Sequence, residues 1–172
     1  WFRSCIQDTK NFDQFDNIIR SLQALKKAAI LTETNCNLVA AHTNTYDLAL
    51  AFSRLQQARL LTQDNVALVL AHANTAGLAL ALYCLQADGI LTKDNFALVA
   101  AHANTAGLVS ALYHLQKARL LTQDNFALVL AHANPSDLAS ALSDLHRARL
   151  LTRDNFEAFL APNHASLASH TA

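Results

Sequence analysis

From Leu31 onward, apolar side chains come in two alternating kinds of block. The dense kind, such as Phe126-Ala127-Leu128-Val129-Leu130-Ala131, is apolar all round and predicts a short helix sandwiched, and so buried, between neighbouring units. The spaced kind places Leu138, Ala141, Leu142, Leu145 and Ala148 on one stripe with polar residues opposite, which predicts a half-exposed second helix. The boundaries carry their own signals. Thr62 suits an N-cap, Asp64 favours the positive end of the helix dipole, and Asn65 stands where a capping-box partner belongs. Leu61 lies at hydrophobic-staple spacing from Val66, as do Leu91 from Phe96, Leu121 from Phe126 and Leu151 from Phe156. Cys36 takes that place in an earlier block and reads as a core thiol. The dense block stops near His132, where Asn134-Pro135 caps and opens the next helix, as Asn74-Thr75 and Asn104-Thr105 do elsewhere. Gly89 reads as a left-handed residue at the end of one spaced block, a place taken by Arg59, Arg119 and Arg149 in others.

These blocks form a repeat. Leu31-Thr32, Leu61-Thr62, Leu91-Thr92, Leu121-Thr122 and Leu151-Thr152 recur every thirty residues, and each Leu-Thr is followed by an Asn, at 35, 65, 95, 125 and 155. Ala-His-x-Asn starts at 41, 71, 101 and 131, and the fifth copy degrades to Ala161-Pro162-Asn163-His164. Helical hairpins that cannot bury their own apolar faces stack on one another, so the expected fold is all-α, an α-solenoid of 30-residue helix-turn-helix repeats in a two-layer superhelix. The reading is one repeat domain over 1–172. Residues 1–30 form an N-terminal cap or half-repeat, in which 16–30 match the second half of a unit and 1–15 diverge. Full repeats follow at 31–60, 61–90, 91–120 and 121–150, and 151–172 are a degenerate repeat ending inside a second helix. Small residues such as Ala101, Ala111 and Ala131 are expected at close helix approaches.

Composition narrows the class. The chain has 172 residues, zero formal net charge, 52% apolar and 15% charged residues, which excludes a disordered or polyanion-binding tail. Only three Gly and two Pro argue against a turn-rich sheet protein. The three cysteines, Cys5, Cys36 and Cys84, match no metal or redox spacing and favour free thiols in a reducing compartment. No apolar run reaches the roughly 18 residues of a membrane span. The chain opens Trp1-Phe2-Arg3 and contains no Met, so it reads as part of something longer.

The most conspicuous candidate for chemistry is the column His42, His72, His102 and His132. Zinc needs its ligands within about 2.1 Å of one ion, whereas packed helices lie about 8–10 Å apart, so successive units cannot share a metal. Each histidine is read instead as closing its first helix, donating to terminal carbonyls at the negative dipole end, with a pH-sensitive or ligand-facing ladder as the alternative. His114, His146, His164 and His170 fall outside the column and read as surface residues. The asparagines at 35, 65, 95, 125 and 155 are read as satisfying loose backbone groups, and Asn44, Asn74, Asn104 and Asn134 as caps.

Recognition is better sought where the units differ. The variable places are 45–47, 75–77, 105–107 and 135–137, together with a second-helix set read as exposed: Ser53-Arg54, Tyr83-Cys84, Tyr113-His114 and Ser143-Asp144. Exposed aromatics are common binding anchors, with Tyr83 and Tyr113 expected side by side, although tolerated surface drift gives the same variation. The candidate partner-binding residues are Tyr46, Arg54, Tyr83, Tyr113, His114 and Asp144. No catalytic, cofactor-binding or metal-binding residue is assigned, because no triad, carboxylate pair or phosphate loop stands outside the repeat.

The unit Leu121-Thr122-Gln123-Asp124-Asn125-Phe126-Ala127-Leu128-Val129-Leu130-Ala131-His132 resembles helical-hairpin repeats of effectors that intracellular bacteria deliver by type IV secretion, over roughly 31–165. That resemblance implies a module of a larger effector in host cytoplasm, gripping a host protein or positioning an attached domain. The Leu-Thr-x-Asp-Asn-Phe opening is also similar to the repeats of transcription-activator-like effectors, which read DNA one base per unit. Those repeats are longer and carry glycines after the base-reading pair and a phosphate-contacting Lys-Gln. Here His132-Ala133 runs into Asn134-Pro135 and the Lys-Gln is absent. Residues 31–150 hold seven Lys or Arg and eight Asp or Glu, so no basic stripe is available for a duplex. The expected function is therefore a non-enzymatic protein-interaction scaffold in the cytoplasm, with a protein partner, no cofactor, no small-molecule substrate and no membrane span. A nucleic-acid-reading array and a passive spacer between domains are the alternatives.

Overall fold

A computed structural model describes residues 12–102 and 105–168, with side chains as far as residue 160. The described residues are all-α, in ten helices and no strand: α1 (Phe12–Lys27), α2 (Glu33–Ala41), α3 (Thr45–Gln57), α4 (Gln63–Ala71), α5 (Thr75–Ala87), α6 (Lys93–Ala101), α7 (Thr105–Lys117), α8 (Gln123–Ala131), α9 (Pro135–Arg147) and α10 (Arg153–Ala168). None of these helices is long and apolar enough to cross a membrane. Most of the divergent segment 1–15, and Asn104 with its expected cap, lie outside the described residues.

Local chemistry sets the helix ends. Thr32, Thr62, Thr92 and Thr122 are N-caps whose hydroxyls accept the amide of the residue three places on. Asn44, Asn74 and Asn134 cap α3, α5 and α9 in the same way. At the other end, Leu60, Ile90, Leu120 and Leu150 donate their amides to the carbonyls of Leu55, Leu85, Leu115 and Leu145 at 2.7–2.9 Å. This closure requires a left-handed residue just before the donor. Gly89 supplies it at φ 72°, while Ala29, Arg59, Arg119 and Arg149 are held at φ 58–60° in a conformation that a Cβ disfavours.

The packing inverts the expected roles of the two helix types. The extensive helix contacts run between α1 and α3, α3 and α5, α5 and α7, and α7 and α9, so each inner second helix is sandwiched between two others. In α5 this buries Thr75, Leu78, Ala79, Ala81, Leu82, Cys84 and Leu85, far more than one stripe. The short helices lie outside this row and bury a single edge: in α4 it comprises Asn65, Val66 and Val69. The dense apolar helices are thus not sandwiched. Leu38, Leu68 and Leu98 remain 48%, 46% and 50% exposed. Of the three alanines expected at close approaches, Ala111 is buried, whereas Ala101 and Ala131 are exposed. Ala148, at the end of the predicted stripe of α9, is exposed as well.

The fifth copy also departs from expectation. Instead of a short first helix followed by a separate second one, a single helix, α10, continues from Arg153 to Ala168 through Pro162. The residues that stop α4 and α8, a histidine C-cap followed by a capping asparagine, are replaced there by Pro162 and His164.

Two substitutions test the turns and the tight seam. Arg119→Gly is expected to raise the unfolding free energy by roughly 0.5–1 kcal/mol, because it removes the Cβ conflict of the left-handed turn at some cost in chain entropy. A Cβ on Gly107 would stand 2.7 Å from the backbone nitrogen of Ser136, so Gly107→Ala must push α7 off the start of α9 and is expected to cost about 1–3 kcal/mol. Urea titrations followed by helical circular dichroism check both.

Candidate functional site

The histidine column is built into the turns between short and long helices. The backbone amides of His42, His72, His102 and His132 donate to the carbonyls of Val39, Val69, Val99 and Val129 at 3.2–3.3 Å. Their rings do not donate to those carbonyls as expected. The Nδ1 of His42 accepts the amide of Asn44 at 3.2 Å, and His72 does the same with Asn74 at 3.1 Å. An Nδ1 that accepts is unprotonated, which leaves Nε2–H as donor. The Nε2 of His42 and of His72 lie 3.3 and 3.5 Å from the hydroxyls of Thr75 and Thr105. Each of these rings thus ties its own turn to the second helix of the following unit.

The asparagine column does comparable work at the opposite ends of the short helices. Asn35, Asn65, Asn95, Asn125 and Asn155 donate Nδ2 to the carbonyls of Ile30, Leu60, Ile90, Leu120 and Leu150 at 2.6–2.9 Å, satisfying the tail of the preceding turn. This differs from a capping box, in which the side chain would reach back to the cap amide. Asn35 and Asn95 make a second set of bonds: their amide groups exchange reciprocal hydrogen bonds with Gln63 and Gln123 at 2.7–3.2 Å.

The six candidate partner residues divide into three places. Arg54 and Tyr83 meet, the guanidinium standing 5.0 Å from the ring centroid while its Nη1 donates to Gln86 at 3.3 Å. Tyr113 carries Lys117 over its ring at 5.4 Å and meets His114 edge to face. The two tyrosines are thus each engaged by a cation. His114 faces His146 at 5.8 Å across the α7–α9 seam, above a groove of about 430 Å³ lined with Ser110, Ser140, Ser143, Asp144 and Arg147. Tyr46 stands apart, in the first turn of α3, on a smaller groove shared with Arg20 and Gln23 of α1.

Cys84, read as exposed, is buried. Burial, reinforced by the nearby Asp88 carboxylate, pushes its thiol up to about 11, so it is inert rather than a contact residue. Burial also raises the Asp88 carboxyl above its ordinary value. Cys36 is buried in the core as well. Among the described residues no group of three His, Cys, Asp or Glu sits close enough to hold a metal ion.

Sequence reasoning missed one surface. Leu38, Leu68 and Leu98, with exposed Ala41, Ala71 and Ala101 one turn on, form an apolar line along α2, α4 and α6. The available signal was the excess of apolar positions over what one buried edge of a nine-residue helix needs.

Tyr83→Ala with Tyr113→Ala is expected to keep the fold, losing about 1–2 kcal/mol, because both rings are partly exposed, at 39% and 37%, and lie outside the buried core; thermal melts check it. His114 titrates below its ordinary value, first because burial penalises its charge and then because His146 and Arg147 repel it. The unfolded chain therefore takes up this proton before the folded one. The stability His114 contributes is full above the ordinary histidine range and is lost as pH falls through and below that range. His114→Gln should flatten that part of the acid-side decline in urea midpoint relative to the native chain. Compared with known protein families, curated proteins and solved structures, the chain matches none.

Proposed function

We propose that the chain is an α-solenoid, a two-layer superhelix of 30-residue units at 31–60, 61–90, 91–120 and 121–150, flanked by a half-unit over 1–30 and a degenerate unit over 151–172. In this reading it works as a non-enzymatic protein-binding scaffold, one module of a larger bacterial effector acting in host cytoplasm. The architectural part is supported by the helix contacts, whose extensive members join helices two apart in the chain. The functional part is carried by one observation: successive short helices each hold a leucine in solvent, at Leu38, Leu68 and Leu98. A recurring row of exposed leucines of this kind favours a protein-interaction surface. The rings of His42, His72 and His132 and the Asn35, Asn65, Asn95, Asn125 and Asn155 side chains are engaged in framework bonds, which leaves recognition to this line and to the variable second-helix residues.

The distribution of charge favours a protein over a nucleic acid. The turns that would face DNA in the transcription-activator-like arrangement read His42-Thr43-Asn44, His72-Ala73-Asn74 and His132-Ala133-Asn134, with no Lys or Arg. The cations Arg54, Arg59, Lys93, Lys117, Arg119, Arg147 and Arg149 gather at the other ends of the helices, interleaved with Glu33, Asp64, Asp88, Asp94, Asp124 and Asp144. Duplex binding draws its affinity from Lys and Arg side chains set against successive phosphates, and interleaved carboxylates oppose it.

Capture from host-cell lysate by the full chain tests the reading, set against a Leu38→Ser, Leu68→Ser, Leu98→Ser variant and against Tyr83→Ala with Tyr113→Ala. The leucine variant is expected to keep its helical spectrum and lose the partner. Unchanged capture by both variants would refute the scaffold surface. A salt-sensitive gel shift of duplex DNA would transfer the function to nucleic acid. Undiminished activity of the parent protein with an extra unit inserted would leave only the spacer reading.

A further inference from the structure

Two positions in and beside the short helices alternate over two units rather than one. Ala40, Leu70, Ala100 and Leu130 take turns at one position, as do Ile30, Leu60, Ile90 and Leu120 at another. The reciprocal amide pairs follow the same rhythm: Asn35 with Gln63 joins the first unit to the second, and Asn95 with Gln123 joins the third to the fourth. Between the second and third units the equivalent residues are Asn65 and Lys93. A lysine ammonium has three donors and no acceptor, so it cannot return the bond that an asparagine Nδ2 offers. Asn65 is left with its local bond to the Leu60 carbonyl.

The other end of the same seam is open as well. Ala100 stands where the neighbouring seams have Leu70 and Leu130, and a cleft of about 490 Å³ separates Leu68, Ala71 and His72 from Ala100, Ala101 and His102. The link from His72 crosses to Thr105 on α7, which tethers α4 to the second-helix row and not to α6. That row continues across the seam, α5 packing on α7 as α3 packs on α5.

We propose that this seam is a hinge: α4 and α6 part and close there, with α3, α5 and α7 as the spine, while the amide-clamped pairs on either side move as stiff blocks. The motion changes the separation of Leu68 and Leu98, and so adjusts the apolar line to its occupant.

The test uses the full chain with a spin label on a bioorthogonal ketone amino acid, at Ala67 with Ala97 across the hinge and at Ala97 with Ala127 across a clamped seam, all three sites being exposed. Double electron–electron resonance is expected to give a broader distance distribution for the first pair. Lys93→Gln, which supplies the missing acceptor, should narrow it to the width of the second pair, with helical content unchanged. Lys93→Ala, which removes the charge without supplying an acceptor, should leave it broad. Equal widths in the native chain, no narrowing by Lys93→Gln, or equal narrowing by Lys93→Ala would each overturn the hinge.

Discussion

The contact on which everything else rests is the dry packing of one long helix against the next. A thirteen-residue helix such as α5 has too little length and too much apolar surface to stand alone, and α4 and α6 touch it far less than α3 and α7 do. Most of its cover comes from neighbours of the same kind. Leu78, Leu82 and Leu85 of α5 are fully buried, with the small Ala79 and Ala81 buried beside them. Once the long helices are aligned, the short ones have one edge left to bury against them and no second partner. Their outer leucines stay in water for that reason.

Much of the framework could be read from residue order because it is local. Thr-x-x-Asn, the capping asparagine and the left-handed turn residue act within a few positions of themselves, so Thr62, Asn74 and Gly89 announced their roles without reference to any other part of the chain. The tertiary assignment was less legible. A dense six-residue apolar block and a second block with a single apolar stripe suggested that the first was the inner one. The decision lay in which helix type meets its own kind, a property of spacing in three dimensions that neither block encodes alone. Cys84 shows the same limit, since its column includes Arg54, His114 and Asp144, and only the closeness of the neighbouring helices tells that a small thiol there is enclosed.

The polar columns show why repetition is a poor guide to recognition. His42 and His72 recur because a ring nitrogen catches the amide two residues on and its far nitrogen reaches the next helix, and a replacement would need both geometries. The variable residues are subject to no such demand. Arg54 over Tyr83 and Lys117 over Tyr113 use different partners to cover similar rings, so the second-helix face differs from unit to unit while the scaffold beneath it does not.

The Asn95 amide reaches further than its neighbours. Its Nδ2 holds the Ile90 carbonyl, which belongs to the preceding unit, and at the same time the Gln123 side chain, which belongs to the following one. A linear chain of modules is ordinarily coupled only to immediate neighbours, so melting at one end decays within a module or two. A single side chain with contacts in three consecutive modules lengthens that correlation, and the blocks centred on Asn35 and Asn95 should therefore fray as wholes rather than helix by helix.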